Sequence, residues 1–370
     1  MLIVIRRKLR GVKQKILADI TEVPELLQPS YLPGMDGLRA ISIIIVLLGH
    51  SLIGTWWVNY FPGQIGVDIF FVISGFLITT LLLKEKVKKN SVSLTKFYLR
   101  RILRIFPVAY LYLICLVILN LIFNLHTTLR MFLSAGLYVD NFPIKYGSNW
   151  QTGHFWSLSV EEQFYLLFPI ILIKWPNKFL LLILILLVSL PFIVIIGRLP
   201  IRAYENHFFY VFVLSFTYLL GYGTSSILIG SAVSILMFKK IITIKRESPY
   251  FLSFIVFIIA ILLHIKDLLN WNLLIYVFPL LISYTILLNL RSGDFFSKIL
   301  NQPIIAKIGV LSYSLYIWQQ LFTYDQPWKN SFKYSNSIVP NIIALFFVAY
   351  VSYTFYESKF LNLKKHFKVV

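Results

Sequence analysis

Charge is what this chain has least of. Only 14% of its 370 residues are Asp, Glu, Lys or Arg, against about a quarter in a soluble domain. Acidic residues are scarcer still, with 15 Asp and Glu facing 35 Lys and Arg, a net charge of +20. An ordinary soluble enzyme and a disordered chain are both excluded. There is one cysteine, Cys115, so no intrachain disulfide and no cysteine-cluster metal site can form. No H-E-x-x-H zinc pattern and no phosphate-cradling GxxxxGK loop is present. A cleavable signal is lacking too. The apolar stretch at 1–5 is too short, and Arg6, Arg7, Lys8 and Arg10 follow it rather than precede it. We find no internal repeat and no low-complexity linker.

What fills the space is apolar. Hydrophobic residues make up 58% of the chain and aromatics 17%, with a mean hydropathy of +0.77. A membrane helix takes roughly 20 mostly apolar residues. Ten such runs are legible, at about 40–57, 66–83, 102–124, 156–173, 179–197, 208–237, 250–265, 271–290, 308–323 and 338–356. The run near 128–140 is short and broken by Asp140, Asn141 and Pro143, and reads as re-entrant or interfacial. If it crosses, everything after it inverts. Ten spans with a cytoplasmic N-terminus put 28 Lys and Arg inside and 7 outside, a strong inward bias. The positive-inside rule thus explains the basic charge better than nucleic-acid binding, and no nucleic-acid partner is expected. The expected fold is an all-α integral membrane protein of about ten transmembrane helices with both termini cytoplasmic. A basic segment at 1–30 precedes the membrane domain at 31–358, and a basic cytoplasmic tail at 359–370 follows. Leu9, Val12, Ile16, Leu17 and Ile20 recur among Lys and Arg, as in an interfacial helix or a plain basic tail.

Ionisable groups inside a membrane are costly and mark function by default. Arg39 and His50 are eleven residues apart, almost three helical turns, so they share one face about 16 Å apart along the axis. Arg39 falls near the cytoplasmic mouth and His50 past the midplane. Histidine is the side chain best suited to exchange a proton near neutral pH; the plain alternative is a packed, hydrogen-bonded interior residue. In the second span, Ser74 and Gly75 suit close helix packing. Arg100, Arg101 and Arg104 open the third span at helical spacing, next to Arg39 in depth. They exceed what anchoring needs and suit phosphate. In the fourth span Ser157, Glu161 and Tyr165 share a face. Glu161 falls near the depth of His50, where a carboxylate can orient a histidine base. A salt bridge from Glu161 to Arg39 is the structural alternative, against which the depths argue. Trp56, Trp57, Tyr60, Trp150 and Trp156 lie near outer span ends, as belt residues or as platforms for a sugar ring. His126, His207 and His264 fall at span ends and read as interfacial.

Four motifs in order then resemble acyltransferase family 3. They are Asp36-Gly-Leu-Arg39 with its spacing to His50; Phe70-Phe-Val-Ile-Ser-Gly-Phe-Leu77; Arg100-Arg101-x-x-Arg104-Ile-x-Pro107; and Trp156-Ser-Leu-Ser-Val-Glu-Glu-Gln-Phe-Tyr165. A late motif, Ser312-Tyr-Ser-Leu-Tyr316-Ile-Trp318, is similar too. The resemblance implies a membrane O-acyltransferase of bacterial surface glycans with acetyl-CoA as donor and no metal. It implies that His50 is catalytic with Arg39 as motif partner, and that the Arg100/Arg101/Arg104 region handles the donor. We place Ser74 on that donor side, Glu161 with the catalytic pair, and Trp156, Glu162 and Tyr165 with the acceptor. Two departures stand out. Gln319 follows Trp318, where the family often has histidine, and the chain ends at Val370 without the extracellular SGNH-type domain many members carry, which favours a stand-alone form.

The expected reaction moves acetyl from cytoplasmic acetyl-CoA to a hydroxyl of an O-antigen, capsule or exopolysaccharide, or of a lipid-linked oligosaccharide, outside a bacterial inner or plasma membrane. Direct transfer and an acetyl-histidine intermediate both remain open. The rival is a proton-coupled transporter or flippase, which normally shows internal repeats and broken helices.

Overall fold

The computed structural model describes residues 11, 14–60, 62–142, 149–198, 223–244, 249–265, 271–291 and 293–367. Every regular element among them is helical. The principal helices are α1 (Met35–Ser51), α2 (Gln64–Lys89), α3 (Leu94–Phe123), α4 (Leu129–Gly136), α5 (Phe155–Lys174), α6 (Pro176–Arg198), α7 (Thr224–Phe238), α8 (Leu252–Ile265), α9 (Trp271–Asn289), α10 (Pro303–Trp318) and α11 (Ile338–Val351). Among the described residues four stretches are long and apolar enough to cross a membrane: Gln64–Lys89, Leu94–Phe123, Trp150–Lys174 and Ile338–Phe367. Shorter apolar helices accompany them. The chain folds as a helical membrane protein.

Local chemistry sets the helix ends. Ser93 caps α3 by accepting from the Lys96 amide. The helix therefore begins in the basic turn, well before the apolar run expected from residue 102. Proline opens α10 at its first position, where no amide partner is lost. The first run proves shorter than expected: α1 stops at Ser51, Gly54 turns at φ +85°, and Trp56–Tyr60 forms a separate 3₁₀ turn. Helix α4 has eight residues, roughly 12 Å at helical rise, well under a bilayer core. The N-terminal run lies largely outside the described residues, as do His207 and the first part of the 208–237 run.

Small residues bring the central helices together. Helix α2 packs along α7, where a Cβ on Gly75 would lie 2.0 Å from the Ile227 carbonyl oxygen, and one on Gly230 would lie 2.2 Å from that of Val72. Ser231 donates to the Gly75 carbonyl (3.2 Å), and Thr80 bonds Ser234 (2.8 Å). Without a hydrophobic drive between helices in lipid, such close contact and interhelical hydrogen bonding hold the bundle. Helix α3 shows the opposite face: Ile114, Ile118, Leu121 and Ile122 are all exposed, Leu121 by 81%. In water that stripe would be a liability, and against acyl chains it is a solvent-matched surface. The chain after α11 continues through a π-helical segment, Ser352–Glu357, into Ser358–Lys364. The buried Glu357 carboxylate accepts there from Ser314 (2.7 Å) and Ser352 (2.9 Å).

Candidate active site

Helices α1, α2, α3, α5 and α10 enclose two adjoining chambers. The first, about 140 Å³, is lined by Arg39, Ser74, Arg101, Arg104, Glu161 and Glu162, with Ser157, Tyr165 and Tyr313 nearby on its wall. Glu161 accepts hydrogen bonds from the Ser74 and Tyr165 hydroxyls. The Arg101 guanidinium lies over the Tyr165 ring (5.4 Å) and the Phe97 ring (5.8 Å), a cation–π arrangement that leaves its donors in the ring plane free to reach an anion. Arg39 sits 3.9 Å from Asp36.

The second chamber, about 330 Å³, is lined by His50, Gln64, Trp150, His154, Trp156 and Gln320, with no Asp, Glu, Lys or Arg in its wall among the described residues. Its volume falls in the range of small-ligand pockets. The His50 imidazole is tethered through Nδ1 to the Gln319 carbonyl oxygen Oε1 at 2.8 Å. Trp150 meets it edge-on, centroids 5.3 Å apart. Val67 and Tyr316 line both chambers and form the wall between them. The Tyr316 hydroxyl bonds Ser157 at 2.6 Å.

These positions redraw the expected groupings. Arg39 and His50 share helix α1 as the spacing requires, yet each opens into a different chamber. Glu161 lies with the arginines, not with His50: its carboxylate is held by Ser74 and Tyr165, and the His50 partner is Gln319. The depths argued for His50 and against Arg39, yet Glu161 shares the chamber of Arg39, and Ser74 of α2 holds its carboxylate there. Arg100 separates from its neighbours. It bonds Glu85 (3.3 Å) and the Phe367 carbonyl (2.9 Å), while Arg101 and Arg104 line the chamber. Of the expected acceptor trio, Trp156 joins His50, whereas Glu162 and Tyr165 join the arginines. Gly75, not Ser74, makes the tight helix contact. Trp150 belongs to the histidine chamber; Trp56 and Trp57 stack on each other at 3.8 Å and stay exposed. His264 lies 3.6 Å from Asp68.

Gln319, Gln320 and His154 were not read as site residues. For His154 a signal existed: Trp150, His154, Ser157 and Glu161 continue one helical stripe at three- and four-residue spacing. Gln319 was visible only as a departure. Among the described residues no three His, Cys, Asp or Glu side chains gather as they would around a metal ion.

The sequence matches the family model of the acyltransferase domain (Acyl_transf_3) over residues 32–357. The chain belongs to acyltransferase family 3. It is 31% identical over 320 residues to O-acetyltransferase OatA of Staphylococcus aureus (strain NCTC 8325 / PS 47), covering 81% of this chain and 52% of that protein. A putative O-acetyltransferase of S. aureus (strain COL) is 30% identical over 323 residues, 78% of this chain and 50% of its own length. The chain therefore spans about half the length of these curated relatives. No solved structure matches.

Proposed function

We propose that this family member transfers an acetyl group from acetyl-CoA to a hydroxyl of an extracytoplasmic glycan, as a multi-pass protein of a bacterial cell membrane. One observation carries the reading. A chamber rich in arginine and a chamber that holds His50 and His154 and, among the described residues, no Asp, Glu, Lys or Arg adjoin across a wall of Val67 and Tyr316. The first suits an anionic donor, since Arg39, Arg101 and Arg104 offer planar donor forks to phosphate. The second suits a neutral sugar hydroxyl beside a general base. The name O-acetyltransferase carried by the relatives gives the acyl group.

In this mechanism His50 Nε2 takes the acceptor's hydroxyl proton as the oxygen bonds to the thioester carbonyl carbon. The tetrahedral adduct collapses, the C–S bond breaks, and the thiolate recovers the proton from the imidazolium. The products are an O-acetyl ester and free coenzyme A thiol. Transfer by way of an acetyl-histidine uses the same residues in two steps.

The test is mass spectrometry of surface glycans from cells with the wild-type chain, with His50→Ala, and with none. An acetyl mass increment seen only with wild type is expected. Equal acetylation by the inserted His50→Ala chain would overturn the role of His50. Glycan that crosses the membrane without gaining mass would favour the transporter.

A further inference from the structure

We infer that Gln319 is the positioning residue of His50: its side-chain carbonyl holds the imidazole as the Nδ1–H tautomer and leaves Nε2 as the proton acceptor. This inference rests on the reading of His50 as the general base. Neutral imidazole carries one donor and one acceptor nitrogen, and the partner of one fixes the role of the other. A carbonyl oxygen only accepts. With Gln319 Oε1 facing Nδ1 at 2.8 Å, the neutral ring pairs with it by carrying its proton on Nδ1.

The surroundings are built to keep that contact. Helix α10 ends at Trp318, and a 3₁₀ turn, Gln319–Leu321, follows at once. Gln319 is fully buried. Its backbone carbonyl accepts from the Phe322 and Thr323 amides and from Thr323 Oγ1 (2.9 Å). The next residue holds the indole that meets the imidazole. Gln320 Nε2 donates to the Trp150 carbonyl (2.6 Å), and Trp150 Nε1 donates to the Gln320 carbonyl (2.9 Å). Two consecutive glutamines thus fix the imidazole and the indole that meets it edge-on. On the opposite edge stands Gly63, where an added Cβ would lie 3.4 Å from both Nε2 and Cδ2. A side chain there would stand in van der Waals contact with the nitrogen that must meet substrate.

The amide also determines what the site avoids. A carboxylate in its place would stabilise the imidazolium and raise the pH at which the free base becomes available. Gln319 orients the ring and adds no charge. Among the described residues, the titratable groups that share this chamber wall with His50 are His154 and Tyr316.

Turnover is followed as thiol release from acetyl-CoA in membrane vesicles carrying their native glycans, across pH. Gln319→Leu is expected to slow release at least about tenfold with the acetyl-CoA KM unchanged. Gln319→Glu keeps the acceptor and is expected to retain turnover, with the acid limb of the profile displaced to higher pH by about one unit. That displacement needs only the near-isosteric variant, so it reads out even where the leucine variant misfolds. Wild-type rate and profile in Gln319→Leu, with His50→Ala inactive, would overturn the positioning role alone. A Gln319→Glu chain as slow as Gln319→Leu would overturn the tautomer, because the amide then acts through its N–H. Activity in His50→Ala would instead sink the general-base reading on which all of this depends.

Discussion

The two chambers share helices and the wall residues Val67 and Tyr316, yet the charge of their remaining linings differs. In one, three arginines face two glutamates, and the hydroxyls of Ser74 and Tyr165 are spent on Glu161. In the other, amides, indoles and imidazoles do all the polar work, and His50 is held by a neutral carbonyl. Charge inside a membrane is expensive, so its confinement to one side of Val67 and Tyr316 is informative. The arginine chamber has the makings of a binding site for an anion. The histidine chamber has the makings of a proton-transfer site whose base is not trapped by a counter-ion. The difference teaches that the residues of one sequence motif can line separate chambers: Trp156 and Glu161 are about one and a half turns apart on α5 and face different chambers.

The comparison can be broken most sharply at His50. His50→Ala is expected to cut acetyl transfer by about 10²–10⁴-fold, read from glycan acetylation at matched membrane levels. Next, replacing both Arg101 and Arg104 with alanine should raise the acetyl-CoA KM about 10–100-fold, the loss of two charge-assisted contacts. An effect confined to the acceptor KM would reverse the assignment of the chambers. Glu161→Gln should lower turnover by about tenfold through the loosened Ser74–Tyr165 pair, with no displacement of the pH profile. A displaced acid limb would instead join Glu161 to His50. Arg100→Ala is the smallest: about twofold or less on the donor KM, with a loss of thermal stability from the broken Glu85 and Phe367 contacts. A donor effect equal to that of Arg101 would show that Arg100 also reaches the donor.

Much of the bundle was legible because apolar runs and charge bias are direct consequences of lipid solvation. Boundaries were harder. Residues 52–57 read as helix because Trp56 and Trp57 are apolar, but Gly54 turns the chain before them. The extension of the last helix to Lys364 was hidden because Glu357 marks an apparent end, and only the Ser314 and Ser352 hydroxyls explain its burial. In the site, spacing along one helix placed Arg39 with His50 and Ser157 with Glu161 and Tyr165. Spacing says nothing of what a neighbouring helix supplies. Ser74 captured Glu161, and Gln319, 269 residues from His50, took the place expected for a carboxylate.

The wall of Val67 and Tyr316 has a consequence for the cell as a whole. A passage through which an acyl group travels is also a passage for protons and sodium ions, and every leak dissipates the gradient that powers the membrane. One branched aliphatic side chain and one phenol, its hydroxyl engaged by Ser157, stand there and line both chambers. On the proposed reaction, such a wall reconciles acylation outside the membrane with an electrically tight bilayer.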